Sequence, residues 1–293
     1  MNKNNFSIIN FLKIYSEDKL ALFFLINLII ILGLVIFGPL ITLQNPYDLS
    51  QLNILDSLLP PLSEAYENNY FLLGTDDQGR DLLSAIIYGL RISLYVGSLS
   101  VIISLIVGII LGVVSAYFGG FVDNFIMRVA DMVLAMPSFL IALVLLSILG
   151  RGLENVVFAL VMSQWATFAR VIRSSALSEK EKDYFYSARC LCLPQSRIIF
   201  GHLLPNCLPP IIVLSTINLA FAITLEASLS FLGVGLPITE PSIGLIISNG
   251  YEYIIVGKYW MSLYPGLFLL ITVVSINIFS DRLRILLNPR LNI

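Results

Sequence analysis

Six blocks of about twenty apolar residues, each nearly free of charge, constrain this chain more than any other feature. A helix rising about 1.5 Å per residue needs roughly twenty residues to cross a hydrocarbon layer about 30 Å thick. The blocks fall at 20–43, 92–117, 129–149, 156–171, 208–232 and 260–279. Inside lipid a backbone must satisfy its own amides, so single stretches of this length read as helices, and the period-two alternation of a membrane barrel is absent. The fold class expected is an all-α polytopic membrane protein with six transmembrane helices. Composition agrees: 57% of the residues are hydrophobic and 12% charged, against roughly a quarter charged in soluble domains.

The charges give the orientation. Lys3, Lys13, Lys19, Arg128, Arg170, Arg173, Lys180, Lys182, Arg189, Arg197, Arg282, Arg284 and Arg290 share one side, while Arg80, Arg91, Arg151 and Lys258 lie on the other. That asymmetry predicts cytoplasmic N- and C-termini. The opposite side is acidic, with Asp48, Asp56, Glu64, Glu67, Asp76, Asp77 and Asp81 in one loop, and a net charge of −2 gives no reason to expect a nucleic-acid partner. The first block lacks a small-x-small cleavage site and reads as a retained anchor. Cys190, Cys192 and Cys207 are odd in number and lie on or near the predicted cytoplasmic side, so no disulfide is expected.

Three regions follow: 1–60, an N-terminal anchor helix and the start of a periplasmic insertion; 61–91, the rest of that insertion; and 92–293, a five-helix core with a cytoplasmic loop at 173–205. Ser100, Ser104, Gly108, Gly112 and Ala116 recur every four residues and line small side chains along one face of the second span, where another helix can approach closely. Its partner is either another helix of this chain or a second subunit. Kinks are expected at Pro137 and Pro265, and Pro209 and Pro210 are expected to open the fifth span.

The chain lacks the machinery of an energy source. It has no G-x-x-x-x-G-K-[ST] phosphate loop, so no ATP site of that type and no bound cofactor is expected. A single histidine, His202, and a Cys-x-Cys at 190–192 without a second pair do not make a metal site. Ion-coupled carriers place titrating groups inside their spans. Here Glu226 is the one clear case, and it either lines a cavity or makes a structural hydrogen bond at a helix interface.

The most polar stretch, 173–205, is organised. SEKE at 178–181 fits a capping box in which Ser178 and Glu181 exchange bonds, so a helix is expected to start there, with Arg189 near its end. Pro194 suits the first position of a second helix, which Pro205 would end. Its apolar residues either dock on a soluble partner or rest on the membrane helices.

DYFYSAR at 183–189 followed by IIFGHLLPN at 198–206 resembles the cytoplasmic EAA loop of ABC importer permeases. LGTDDQGRD at 73–81, YFGG at 117–120, EASLSFLGVG at 226–235 and NPR at 288–290 make the chain similar to the C-type permease of dipeptide and oligopeptide importers, from about residue 70 to the end. The resemblance implies a type I ABC importer permease fold in a bacterial inner membrane. It also implies a heterodimer with a similar permease, two ATPase subunits that bind the ATP, a periplasmic solute-binding protein and a peptide substrate. Residues 178–205 would then carry the coupling helix that sits in an ATPase groove, with Ser178, Glu181, Tyr186, Ser187, Ala188, Arg189, Cys192, Pro194, His202 and Pro205 as its site residues.

Two departures stand out. The family's Glu aligns with Tyr186 and its first Ala with Ser187, which removes a charge, and its turn Gly aligns with Cys192, which implies a different turn geometry. Gly74, Thr75, Asp76, Gly79, Arg80 and Asp81 form the second candidate region. They lack EF-hand spacing and read as a turn that fixes the entrance of the second span and touches the binding protein. Rival readings are import of a nickel chelate, glutathione or another small solute on the same scaffold, or an ion-coupled carrier acting alone.

Overall fold

The computed structural model describes residues 18–48, 50, 52–64, 66, 70–237, 239–240 and 242–287. Lys3, Lys13, Glu67 and the NPR motif at 288–290 lie outside them.

Ten helices organise the described chain: α1 Lys19–Ile41, α2 Leu82–Phe118, α3 Gly120–Ala135, α4 Ser138–Leu149, α5 Leu153–Lys180, α6 Asp183–Cys190, α7 Gln195–Ile198, α8 Leu204–Phe231, α9 Ile243–Tyr251 and α10 Trp260–Leu287. Five segments are long and apolar enough to span a membrane, and α3 with α4 makes a sixth if the bent pair is one span. The multi-pass helical architecture expected of the sequence is present.

Asp18 starts α1 by accepting from the amides of Leu20 and Ala21 at 2.9 and 3.3 Å. The same carboxylate pairs with Arg282, which ties the start of α1 to the end of α10. Asp81 caps α2 through the Ser84 amide at 2.9 Å, so α2 begins ten residues before the apolar block does and reaches about 55 Å.

The third span is not a single rod. Pro137 has no amide proton and forces Met136 into extended backbone (φ −94°, ψ 140°), so α3 and α4 meet at 91°. At Pro265 the expected kink does not interrupt the helix, because α10 runs unbroken through that residue. Pro209 and Pro210 do not open the fifth span either; they lie inside α8, whose first turn holds Pro205.

The small-residue stripe answers its own question, because its partner is α5 of the same chain. A Cβ on Gly108 would stand 2.4 Å from the Phe168 Cβ, and one on Gly112 2.7 Å from the Ala169 carbonyl oxygen. Backbones that close gain dispersion contacts that lipid cannot supply.

The apolar helix α9 was not expected, since its nine residues are too few to span. It lies so close to α8 that a Cβ on Gly244 would meet the Ala227 carbonyl oxygen at 2.0 Å. The insertion before α2 is folded as well. Its short strands β1 (Ser63–Glu64) and β2 (Tyr70–Phe71) pair antiparallel, with Ser63 opposite Phe71.

Candidate functional site

The 173–205 segment forms an elbow, built differently from its sequence signals. Ser178 does not start a helix. It sits in the last turn of α5, Glu181 is the C-cap of that helix, and α6 begins at Asp183 after Lys182. The capping box is outvoted because Ile172 and Ala176 of α5 are fully buried against the core, which carries the helix past Ser178. Glu179 makes the local contacts instead. It accepts from the Tyr184 hydroxyl at 2.6 Å and from Lys182 Nζ at 2.5 Å. Burial, with Glu179 beside it, pushes the Tyr184 hydroxyl well above its ordinary pKa, so it stays a donor.

Where α6 ends, the Cys192 amide donates to the Arg189 carbonyl at 3.0 Å and the Leu193 amide to the Ala188 carbonyl at 3.4 Å. These two bonds form a Schellman motif, which requires a left-handed residue at the position Cys192 holds. Cys192 adopts it, with φ 50°. The expected change of turn geometry is therefore not what happens: a glycine-type turn is kept and a Cβ is forced into it.

Pro194 stands one position earlier than expected, as the N-cap of α7. Pro205 does not end the helix that follows. A π-helical turn at Ile199–Leu203 joins α7 to α8, its Leu204 amide donating to the Ile199 carbonyl, and Pro205 falls where α8 needs no amide donor.

The elbow has two faces. Phe185, Ala188, Ile198 and Leu203 are buried in one cluster with Val113 and Ala116 of α2, Ile172 and Ala176 of α5, and Cys207 and Ile211 of α8. Outward stand Tyr186, Ser187, Arg189, Cys192 and Pro194, with Leu191 and Phe200 exposed to 73% and 69%. His202 is half-buried and its carbonyl accepts from Asn206 at 2.6 Å. The inner face follows the second alternative, apolar residues resting on the membrane helices, while Leu191 and Phe200 are left uncovered.

A group not singled out in the sequence braces this end. Asp123, in the first turn of α3, binds Arg173 of α5 through two nitrogens at 2.5 Å and accepts from Ser115 of α2. Lys180 donates to the Ala116 carbonyl at 2.7 Å. The one sequence signal for it was an acid just after the glycine pair of YFGG.

At the turn of 74–81, the Asp76 carboxylate accepts from the amides of Gln78 and Arg80 at 2.9 and 2.8 Å. Burial pushes its pKa up to about 6 against the pull of Arg80. The buried Arg80 guanidinium donates to Gln78. The Thr75 hydroxyl donates to the Asp56 carbonyl at 2.6 Å and accepts from the Leu59 amide at 2.8 Å. Gly74 and Gly79 take φ 82° and 76° where a Cβ would strike the carbonyls of Leu59 and Asn53. This turn couples the insertion to the cap of α2 and, through Trp260 Nε1 on the Thr75 carbonyl at 3.4 Å, to α10.

Glu226 is fully buried and joins three elements. It accepts from Ser93 of α2 at 2.6 Å and from Ser230, one turn on in α8, at 2.8 Å. A third hydroxyl comes from Ser242, the N-cap of α9. Among the described residues no group of three or more His, Cys, Asp or Glu side chains is placed to hold a metal ion.

Comparison with known proteins gives this architecture relatives. The chain is 36% identical over 277 residues to the dipeptide transport system permease protein DppC of Haemophilus influenzae, covering 94% of this chain and 92% of that one. It is 33% identical over 277 residues to the oligopeptide transport system permease protein OppC of Bacillus subtilis, covering 94% and 88%. Among solved structures, the inward-facing MetNI methionine ABC transporter matches with a TM-score of 0.57 over 71% of this chain and 98% of that chain, at 18% identity, a likeness of fold. A model described as the N-terminal TM domain of oligopeptide transport permease C matches residues 10–61. The model for the binding-protein-dependent transport system inner membrane component matches residues 104–293, the stretch that contains the elbow, its brace and Glu226, and the chain belongs to that family.

Proposed function

We propose that this chain is one of two similar permease subunits of an ATP-driven importer of dipeptides or oligopeptides, in a bacterial inner membrane with both termini in the cytoplasm. Two partner subunits bind and hydrolyse the ATP, a periplasmic protein delivers the peptide, and this chain supplies half of the path and does no chemistry on the solute. The observation that carries the reading is the two-faced elbow. Its inner face is packed into the bundle, while Tyr186, Ser187, Arg189 and Leu191 stand outward where a soluble subunit can grip them. The names of the curated relatives support a peptide as the solute.

Because Tyr186 stands where the family carries a Glu, the grip depends on an exposed phenol ring where a carboxylate would otherwise sit. An ATPase surface with an apolar or hydrogen-bonding pocket is the expected counterpart. The turn at 74–81 is the proposed contact for the binding protein, on the opposite end of the bundle.

Membrane vesicles holding the permease pair, the ATPase subunits and the binding protein should take up a labelled dipeptide only when ATP is inside. Uptake that persists without this chain, or that runs without the ATPase subunits, would overturn the proposal.

A further inference from the structure

Buried polar side chains in this bundle mostly bond to their own helix. Ser100, Ser163, Asn218, Thr272, Ser275 and Ser280 each donate to a carbonyl three or four residues back. Gln164 of α5 does not. It is 2% exposed, and neither its amide nitrogen nor its amide oxygen has a hydrogen-bond partner among the described residues. Exchanging the two ends of the amide leaves both unmet. Leu160 and Phe168, one turn before and after it on the same face, are fully buried, so no rotation of the side chain in place reaches solvent. An amide held this way costs far more than a satisfied one returns.

The neighbouring helix carries a matching defect. Oγ of Ser104, in α2, is also buried and unmet among the described residues. The two helices run in parallel here, because Gly108 abuts Phe168 and Gly112 abuts Ala169 and Ile172. One turn back along each helix, Ser104 therefore stands level with Gln164. The third wall at this level is α8. Its Leu219 and Ile223 abut Gly97 of α2, and its Ile211 shares a cluster with Phe168. Glu226 ties α8 to α2 at Ser93, about 16 Å back along α2 from Ser104. A tilt of α8 about that tie moves the segment between Ile211 and Leu219 most, which is the segment that hems in Gln164.

We propose that Gln164 is a positioning residue for the transport cycle: its amide is unmet in the conformation described here and pairs with the Ser104 hydroxyl in the alternate one. The inference rests on the reading of this chain as half of a nucleotide-driven importer. The unmet amide and hydroxyl raise the free energy of the present conformation alone, and their union lowers that of the other, so the pair favours departure from the state in which it is broken. The two helices that carry it do not have to part. A glutamine side chain is long enough to turn toward the adjacent helix once α8 yields, and the tight α2–α5 seam keeps Ser104 in reach.

The test uses the full assembly with its ATPase subunits, heated without nucleotide or with a non-hydrolysable ATP analogue, and reads how much of this chain stays soluble. Gln164→Met keeps the length of the side chain and removes the amide. It should melt about 2–4 °C above wild type in one nucleotide condition and below it in the other, because removal of the amide relieves one conformation and weakens the other. Ser104→Ala should change sign in the same way, and as a small residue in a stripe of small residues it keeps the test intact if Gln164→Met fails to assemble. In the condition where both variants melt low, the double variant should melt no lower than Gln164→Met alone, since each removes the same bond. A shift of one sign in both conditions, or losses that add in the double variant, overturns the proposal and leaves Gln164 a packing residue. A wild-type assembly that binds no nucleotide overturns the importer reading and this inference with it.

Discussion

Cys192 offers a direct test of how the elbow is held. Its φ of 50° places a Cβ where L-residues are strained, at a cost of about 1–2 kcal/mol. Replacing it by glycine removes that cost and returns about 0.5–1 kcal/mol through the greater freedom of glycine in the open chain. The side chain contributes little that would be lost, since Cys192 is exposed and its sulfur reaches only the Cys190 carbonyl, at 3.8 Å. Cys192→Gly should therefore stabilise the turn by about 0.5–1 kcal/mol. Cys192→Val, whose branched Cβ tolerates the left-handed region worst, should weaken it by about 1 kcal/mol. The two variants should then differ by about 2 kcal/mol, roughly thirtyfold in the local opening equilibrium. Hydrogen exchange measures this where it matters, because the amides of Cys192 and Leu193 are the donors of the Schellman pair. A peptide covering 186–198 should exchange slowest in the glycine variant and fastest in the valine variant, while a peptide from α2 stays unchanged as the control. If glycine speeds exchange, or valine leaves it alone, Cys192 is unstrained and the argument from backbone conformation fails.

The α2–α5 seam predicts that Gly108→Ala lowers thermal stability by about 1–3 kcal/mol despite alanine's better helix propensity, whereas Gly33→Ala in α1, with nothing within 4 Å of its Cβ, is neutral or stabilising; a fluorescence melt in detergent compares them. Glu226→Ala leaves three buried hydroxyls without their acceptor and should cost about 2–4 kcal/mol, while Glu226→Gln keeps the volume and an acceptor and should melt close to wild type. Asp76 has a folded pKa of about 6, raised by burial from 3.8. Its stabilising contribution is complete below pH 4 and lost as pH rises through about 6, a change on the order of 2–3 kcal/mol. Proteolysis of the insertion should thus be slower at pH 5 than at pH 7 in wild type, and the difference should shrink in Asp76→Asn.

The spans were legible because lipid imposes one rule on each segment by itself: enough apolar length, internally bonded. The stripe from Ser100 to Ala116 was legible for the same reason, though its partner was not, since a four-residue repeat says that something approaches and not what. Local signals failed wherever a distant contact decided. SEKE at 178–181 is a sound capping box in isolation, but Ile172 and Ala176 bury α5 so well that the helix continues past it. The helix α9 was invisible because nine apolar residues neither span a membrane nor announce the bare Ala227 backbone that Gly244 meets. Ser230 could be paired with Glu226 from its spacing of four, whereas Ser93 lies 133 residues away and only the fold brings it there.

Under the proposed reading, a push on the elbow meets unequal resistance along α8. At the elbow end, α8 joins α7 through a π-helical turn and packs on α2 and α5 through apolar side chains such as Cys207 and Ile211, contacts without direction that permit sliding. At the far end, the Glu226 carboxylate accepts from Ser93 of α2 at 2.6 Å and from the hydroxyl of Ser242 at the start of α9, and such bonds weaken steeply when bent. Motion of α8 relative to α2 therefore pivots near Glu226, some 40 Å from Ile198 along the helix. The brace of Asp123 and Arg173 keeps α2, α3 and α5 together at the driven end, so the joint left to yield is the 91° corner at Pro137, where no helical hydrogen bonding crosses from α3 to α4. A lever with a hydrogen-bonded fulcrum, a braced base and one broken rod converts a displacement at Leu191 and Tyr186 into a change of angle between α4 and α8.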